Sequence, residues 1–169
     1  IAVRLDKGPG GISKGKSWIL YDEDTMRVAA AYEGEFVDWR GIAFDGSHGT
    51  HTSIKGEPVV LSADQPAWQN PKTKDWDDQR IIGRDGRRFG PLPRAWVLYL
   101  GLFQNGDQAV VHYRVGDREI HELPGRIEYG KASITTRTLR VGSGKDNLLT
   151  RLAPETLSLI HISEPTRPE

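Results

Sequence analysis

The chain has 169 residues, with 23 Lys+Arg set against 23 Asp+Glu and a formal net charge of +0. That balance gives no electrostatic footprint for nucleic acid or an anionic membrane surface, and no apolar stretch approaches the ~18 residues of a membrane span. Cysteine is absent, which excludes disulfide staples, thiolate metal sites and covalent c-type haem attachment within this segment. Gly 19 and Pro 10, with five Trp and five Tyr, point to short strands and many turns.

Taken in chain order, period-2 alternation recurs and sustained helical periodicity does not. The opening IAVRL is strand-like. Residues 18–21 form a short aromatic-rich strand, Asp22-Glu23-Asp24 an acidic turn, and Met26, Val28, Ala30 and Tyr32 one face of the next strand. Residues 63–93 are irregular, and Pro66, Pro71, Pro91 and Pro93 keep them out of a sheet centre. A structureless run of this length points to a functional or docking loop. Residues 93–96 suit a helical turn. A meander follows: a strand at 97–104, a type I′ turn at Asn105-Gly106, a strand at 107–115 with Ala109, Val111, Tyr113 and Val115 on one face, a turn at Gly116-Asp117, and a strand at 118–123. Trp96, Tyr99, Leu100 and Phe103 also fit helical spacing, but the flanking turn chemistry favours strand. Further strands are expected at 132–141, rich in β-branched residues, and at 148–152. The fold class is all-β: an antiparallel β-sandwich or supersandwich-like domain over residues 1–156 with one long irregular loop at about 63–93.

Four constellations could carry chemistry. His48 and His51, with Asp45 nearby, could hold a transition metal through imidazole nitrogens, although the surrounding glycines read equally as a solvated hairpin loop. Asp22 and Asp24, or Asp75, Asp77 and Asp78, could hold a hard cation if enough oxygens converged, or could be solvated turns. Arg84, Asp85 and Arg87 could grip an anion bidentately, or form an internal ion pair that pins the loop. Trp39, Trp68, Trp76 and Trp96 could stack on sugar rings, or belong to the core. No nucleophile elbow, phosphate loop or distinguished carboxylate pair is present, so no catalytic residue is assigned.

The segments LDKGPGGISKGKSWILYDEDTMRVAAAY, FVDWRGIAFDGSHGTH, GRDGRRFGPLPRAW and YLGLFQNGDQAVVHYRVGDREIHELPG occur in that order. Together they resemble an uncharacterised amino-terminal domain of large, exported, multidomain bacterial proteins that also carry a c-type cytochrome domain. The resemblance implies a periplasmic or extracellular parent engaged in electron transfer linked to carbohydrate oxidation. It implies haem c only in another domain, with no cofactor here. The sheet pattern and the TRTLRV strand also look like sugar-binding β-supersandwich domains.

The implied partners are other domains of the same polypeptide and, as a candidate ligand, a saccharide. Three functions follow: a non-catalytic binding or docking module, a sugar-active and metal-assisted enzyme domain, or a structural spacer. Residues 157–167, LSLIHISEPTR, resemble translated adapter sequence from transposon-based library preparation. Residues 157–169 are therefore expected to be a non-native tail outside the core, and the rest a fragment of a longer reading frame.

Overall fold

The computed structural model describes residues 1–39, 52–130, 132–145 and 147–152. Its strands are β1 (Ala2–Arg4), β2 (Ser17–Asp22), β3 (Arg27–Glu33), β4 (Val37–Asp38), β5 (Ser53–Ile54), β6 (Glu57–Leu61), β7 (Ile81–Ile82), β8 (Arg88–Phe89), β9 (Val97–Asn105), β10 (Gln108–Val115), β11 (Arg118–Tyr129) and β12 (Ala132–Val141). Two antiparallel four-stranded sheets carry the fold, one in the order β1-β2-β3-β6 and the other β12-β11-β10-β9. Two short ribbons, β4-β5 and β7-β8, stand apart.

One apolar cluster joins the sheets. Val3, Ile19, Tyr21, Val28 and Ala31 from the first sheet pack with Val97, Val111, Tyr113, Val115 and Ile120 from the second. Removing a large apolar side chain of this kind from water is worth ~1.5–3 kcal/mol. The first sheet is also covered on its other face, where Trp18 and Tyr32 pack with Phe36 and Ile54 beside the β4-β5 ribbon. The Trp18 and Phe36 rings lie 4.6 Å apart, and the Tyr32 hydroxyl donates to the Phe36 carbonyl at 2.8 Å. Gly56 permits this approach, because a Cβ there would fall 2.2 Å from the Glu33 carbonyl oxygen.

The meander and the strand at 132–141 form as expected. The turn after β9 is displaced by one residue: Asn105 pairs with Gln108, leaving Gly106 and Asp107 as the loop. Gly106 has φ +58 and Asp107 is not in the left-handed region, the pattern of a type II′ rather than a type I′ turn. Residues 93–96 do close a turn, with the Trp96 amide donating to the Pro93 carbonyl at 2.7 Å.

Three expectations need correction. Met26, Val28, Ala30 and Tyr32 do not share a face. Leu20 pairs with Ala30 and Tyr21 with Val28, so Ala29 is a bulged residue. The bulge shifts the alternation by one: Val28 and Ala31 face the second sheet, while Ala30 and Tyr32 face the other way. The strand expected at 118–123 continues as β11 to Tyr129. Its pairing with β10 stops at Glu122, so beyond that point β11 has one neighbour among the described residues, and Pro124 sits where a missing N–H is tolerated. The strand expected at 148–152 is reduced to a single bridge between Trp68 and Thr150. The expected tail at 157–169 falls outside the described residues.

Candidate functional site

The segment 63–93 connects the two sheets, and it divides into a buried base and an exposed tip. The base enters the core through Ala67, Trp68, Leu92 and Trp96. The Trp96 indole N–H donates to the Trp68 carbonyl at 3.0 Å, and the Leu92 amide donates to the Asp24 carbonyl at 3.0 Å. Trp96 is thus a core residue and its ring has no open face for a ligand. Trp68 is buried likewise, and the Trp76 ring is covered by the Arg151 guanidinium at 3.8 Å. Trp39 is the one tryptophan with most of its surface free, at 61% exposed.

Arg80 locks the base. Its side chain is almost fully buried, and it donates to both Asp78 oxygens at 2.8–3.1 Å and to Asp64 at 3.0 Å. Hydrogen bonds and opposite charges raise the Arg80 pKa against its desolvation. Although burial opposes it, pairing with Arg80 holds the Asp78 carboxyl below its ordinary value. Arg88 adds donations to the Asp78 and Arg80 carbonyls. Asp64 also pairs with Arg27, whose Nε reaches Asp22 at 3.1 Å. The network therefore ties the segment to the β2-β3 turn.

Asp22 is consumed by that turn. It accepts from the Asp24 amide and the Thr25 hydroxyl, each at 3.0 Å, as well as from Arg27. Burial, followed by the charges of Asp22 and Glu23, raises the Asp24 pKa. Asp75 likewise caps its own turn, accepting the Asp77 amide at 3.2 Å. Among the described residues no group of three His, Cys, Asp or Glu side chains is placed to hold a metal ion. Asp45, His48 and His51 lie outside the described residues.

The tip is the β7-β8 ribbon. Ile81 faces Phe89 and Ile82 faces Arg88 across it. Ile81 is 77% exposed, Ile82 61% and Phe89 46%. Asp85 and Arg87 form the expected internal pair, at 2.6 and 2.7 Å, and the Arg87 guanidinium lies over the Phe89 ring at 5.4 Å. Arg84 sits in the connecting turn and is exposed.

Sequence reasoning missed a second polar site inside the sandwich. Glu122 is completely buried and accepts four hydrogen bonds: from the Tyr21 and Tyr113 hydroxyls, each at 2.7 Å, and from Arg137 at 2.5 and 2.9 Å. Desolvation pushes its carboxyl up, but Arg137 and the two hydroxyls more than reverse this and hold it below its ordinary value. Burial and the adjacent carboxylate raise both tyrosine hydroxyls far above theirs. With every acceptor position engaged, Glu122 is built to join the sheets rather than to exchange protons with a substrate. One signal was available: Glu122 stands two residues after Ile120, in the inward phase of β11. A charged residue there demands a buried partner.

At one edge of the sandwich β1 and β9 part, leaving a cleft of about 320 Å³ walled by Arg4, Asp6 and Gly11 on one side and Leu102, Gln104 and Asp107 on the other. On the outer face of the second sheet, His112 and His121 stack at 4.2 Å beside Phe103.

These features define an antiparallel β-sandwich domain with a core-anchored excursion between its sheets. Residues 19–122 match the family described as a domain of unknown function (DUF6797), and the chain belongs to that family. No curated protein and no solved structure matches the chain.

Proposed function

We propose that the domain is a non-catalytic docking module that seats a neighbouring domain of its own polypeptide on the β7-β8 ribbon. The observation that carries this reading is a ribbon with Ile81 and Ile82 at 77% and 61% exposure, on a base fixed by the buried Arg80. A firm base presenting apolar side chains limits the entropy that binding must freeze out, and exposed apolar groups of this kind mark interaction sites. The exposed Arg84 in the turn of the same ribbon favours a partner with an apolar pocket and an acidic rim. The sequence resemblance supplies the context: an exported, periplasmic or cell-surface parent, with haem c and electron transfer in other domains. No helix among the described residues is long and apolar enough to cross a membrane. A glycan-binding reading rests on the exposed Trp39 and would be tested by fluorescence titration with saccharides.

Amide hydrogen exchange across 81–89 tests the docking reading, compared between the isolated domain and the longer polypeptide. Slower exchange in the longer chain is expected, and Ile81→Asp with Ile82→Asp should restore the fast rate. Equal exchange in both would overturn it. So would a ribbon-dependent dimer of the isolated domain in sedimentation, which would make the occupant a second copy.

A further inference from the structure

We infer that the cleft between β1 and β9 accepts an extended, uncharged polypeptide segment as an added strand on β9. The inference is independent of the ribbon. β9 is the edge of its sheet, and from Leu98 to Asn105 its backbone pairs with β10 alone among the described residues. A bulge at Leu100 and the φ +154 of Gly101 interrupt the first half of the edge. The second half, Leu102 to Asn105, is uninterrupted and borders the cleft.

Exposed edges are normally blunted by charges, prolines or bulges. The opposite edge, β12, is blunted by Arg137, which points inward to Glu122. The run Leu102-Phe103-Gln104-Asn105 carries no charge and no proline, so this edge is left open to backbone pairing.

The walls indicate the chemistry of the occupant. Leu102 lies in register with the fully buried Val111, so it shares the inward face, yet it is 45% exposed. It is a seat for an apolar side chain that the sandwich itself leaves empty. Among the described residues Arg4 is the cation of the cleft, and its guanidinium is already occupied by Asp6 at 2.9 Å and by the carbonyls of Pro9, Gly10 and Gly11. Asp107 on the facing wall repels anions. Among the described residues no aromatic ring lines the cleft, which leaves out the stacking surface a sugar needs. Unpaired edge backbone with an apolar seat and no free cation fits a neutral strand with alternating apolar residues.

Gly11 supplies the test. Its φ is −75, which any residue adopts, and a Cβ there meets nothing within 4 Å. Gly11→Leu therefore adds bulk at the cleft wall at a position where the backbone and the space around the Cβ accept a side chain. Short random peptides displayed on phage are selected on the folded domain, and the best synthetic binder is titrated by calorimetry and by amide exchange. The expected result is saturable binding that slows exchange in Leu102 to Asn105. It should weaken by about tenfold or more in Gly11→Leu and be unchanged in Ile82→Asp. Failure to select any peptide, binding that leaves β9 exchange unaltered, or full affinity in Gly11→Leu would each overturn the inference. Binding of saccharides in place of peptides at this cleft would do the same.

Discussion

Two Arg–carboxylate pairs in this domain have the same chemistry and opposite surroundings. Arg137 and Glu122 meet between the sheets, where the Glu122 side chain has no exposed surface. Arg87 and Asp85 meet on the ribbon, where the side chains are 68% and 45% exposed. In the core, each partner is indispensable once the other is present, since an unpaired buried charge is far costlier than the pair. On the ribbon, water and salt solvate either partner alone. The first pair braces two neighbouring strands of one sheet and, through the Tyr21 hydroxyl on Glu122, ties that sheet to the other, whereas the second lies in an exposed turn.

The largest effect belongs to Glu122. Glu122→Gln keeps the shape but leaves Arg137 buried without a counter-charge, a loss expected at ~3–5 kcal/mol in urea denaturation near neutral pH. The pH dependence follows from the lowered carboxyl pKa in the folded state. Stability from Glu122 is fully present above the ordinary glutamate value and is lost as pH falls through the lower folded value. The gap between native and Glu122→Gln proteins should therefore close under acid conditions. A gap independent of pH would show that Glu122 contributes shape and not charge.

The core pair was partly legible in the sequence. Alternation from Ile120 to Glu122 places the carboxylate inward, but the partners Tyr21 and Arg137 come from other strands, and pairing between strands is not written in any local pattern. The meander was readable because glycine-containing turns and alternation agree at every step. The β2-β3 hairpin was misphased because a bulge at Ala29 has no composition signal among neighbouring alanines. The ribbon's ion pair was readable, since Asp85 and Arg87 are two residues apart. Trp96 was not, because tryptophan beside a proline-rich loop has the same local sequence whether its ring faces solvent or core. Arg80 carried no signal: Asp64, one of its partners, lies sixteen residues away in a segment with no regular periodicity.

Arg80 lies between the two extremes, with its own side chain buried and its partners ranging from 10% to 48% exposed. Arg80→Ala should cost ~2 kcal/mol, less than the core substitution because the Asp64 it abandons regains water. The effect should be local. Limited proteolysis is expected to cut within 63–93 much faster in the variant, while far-ultraviolet circular dichroism stays that of a β protein. Protection equal to the native chain would mean that the tryptophan contacts alone fix the base.

Arg87→Ala should have the smallest effect of all. Its loss frees Asp85 to water and uncovers one face of Phe89, which is already half-exposed. The turn itself is closed by backbone, with the Gly83 amide donating to the Arg87 carbonyl at 2.8 Å and Gly86 to Gly83 at 3.0 Å. Alanine retains those groups, so the denaturation midpoint should not move, and added salt should not change that outcome. A clear shift would place the ribbon inside the cooperative fold and erase the contrast between the pairs. An unchanged midpoint would mean that Arg87 contributes little to folding, leaving contact with a partner as the property on which its substitution acts.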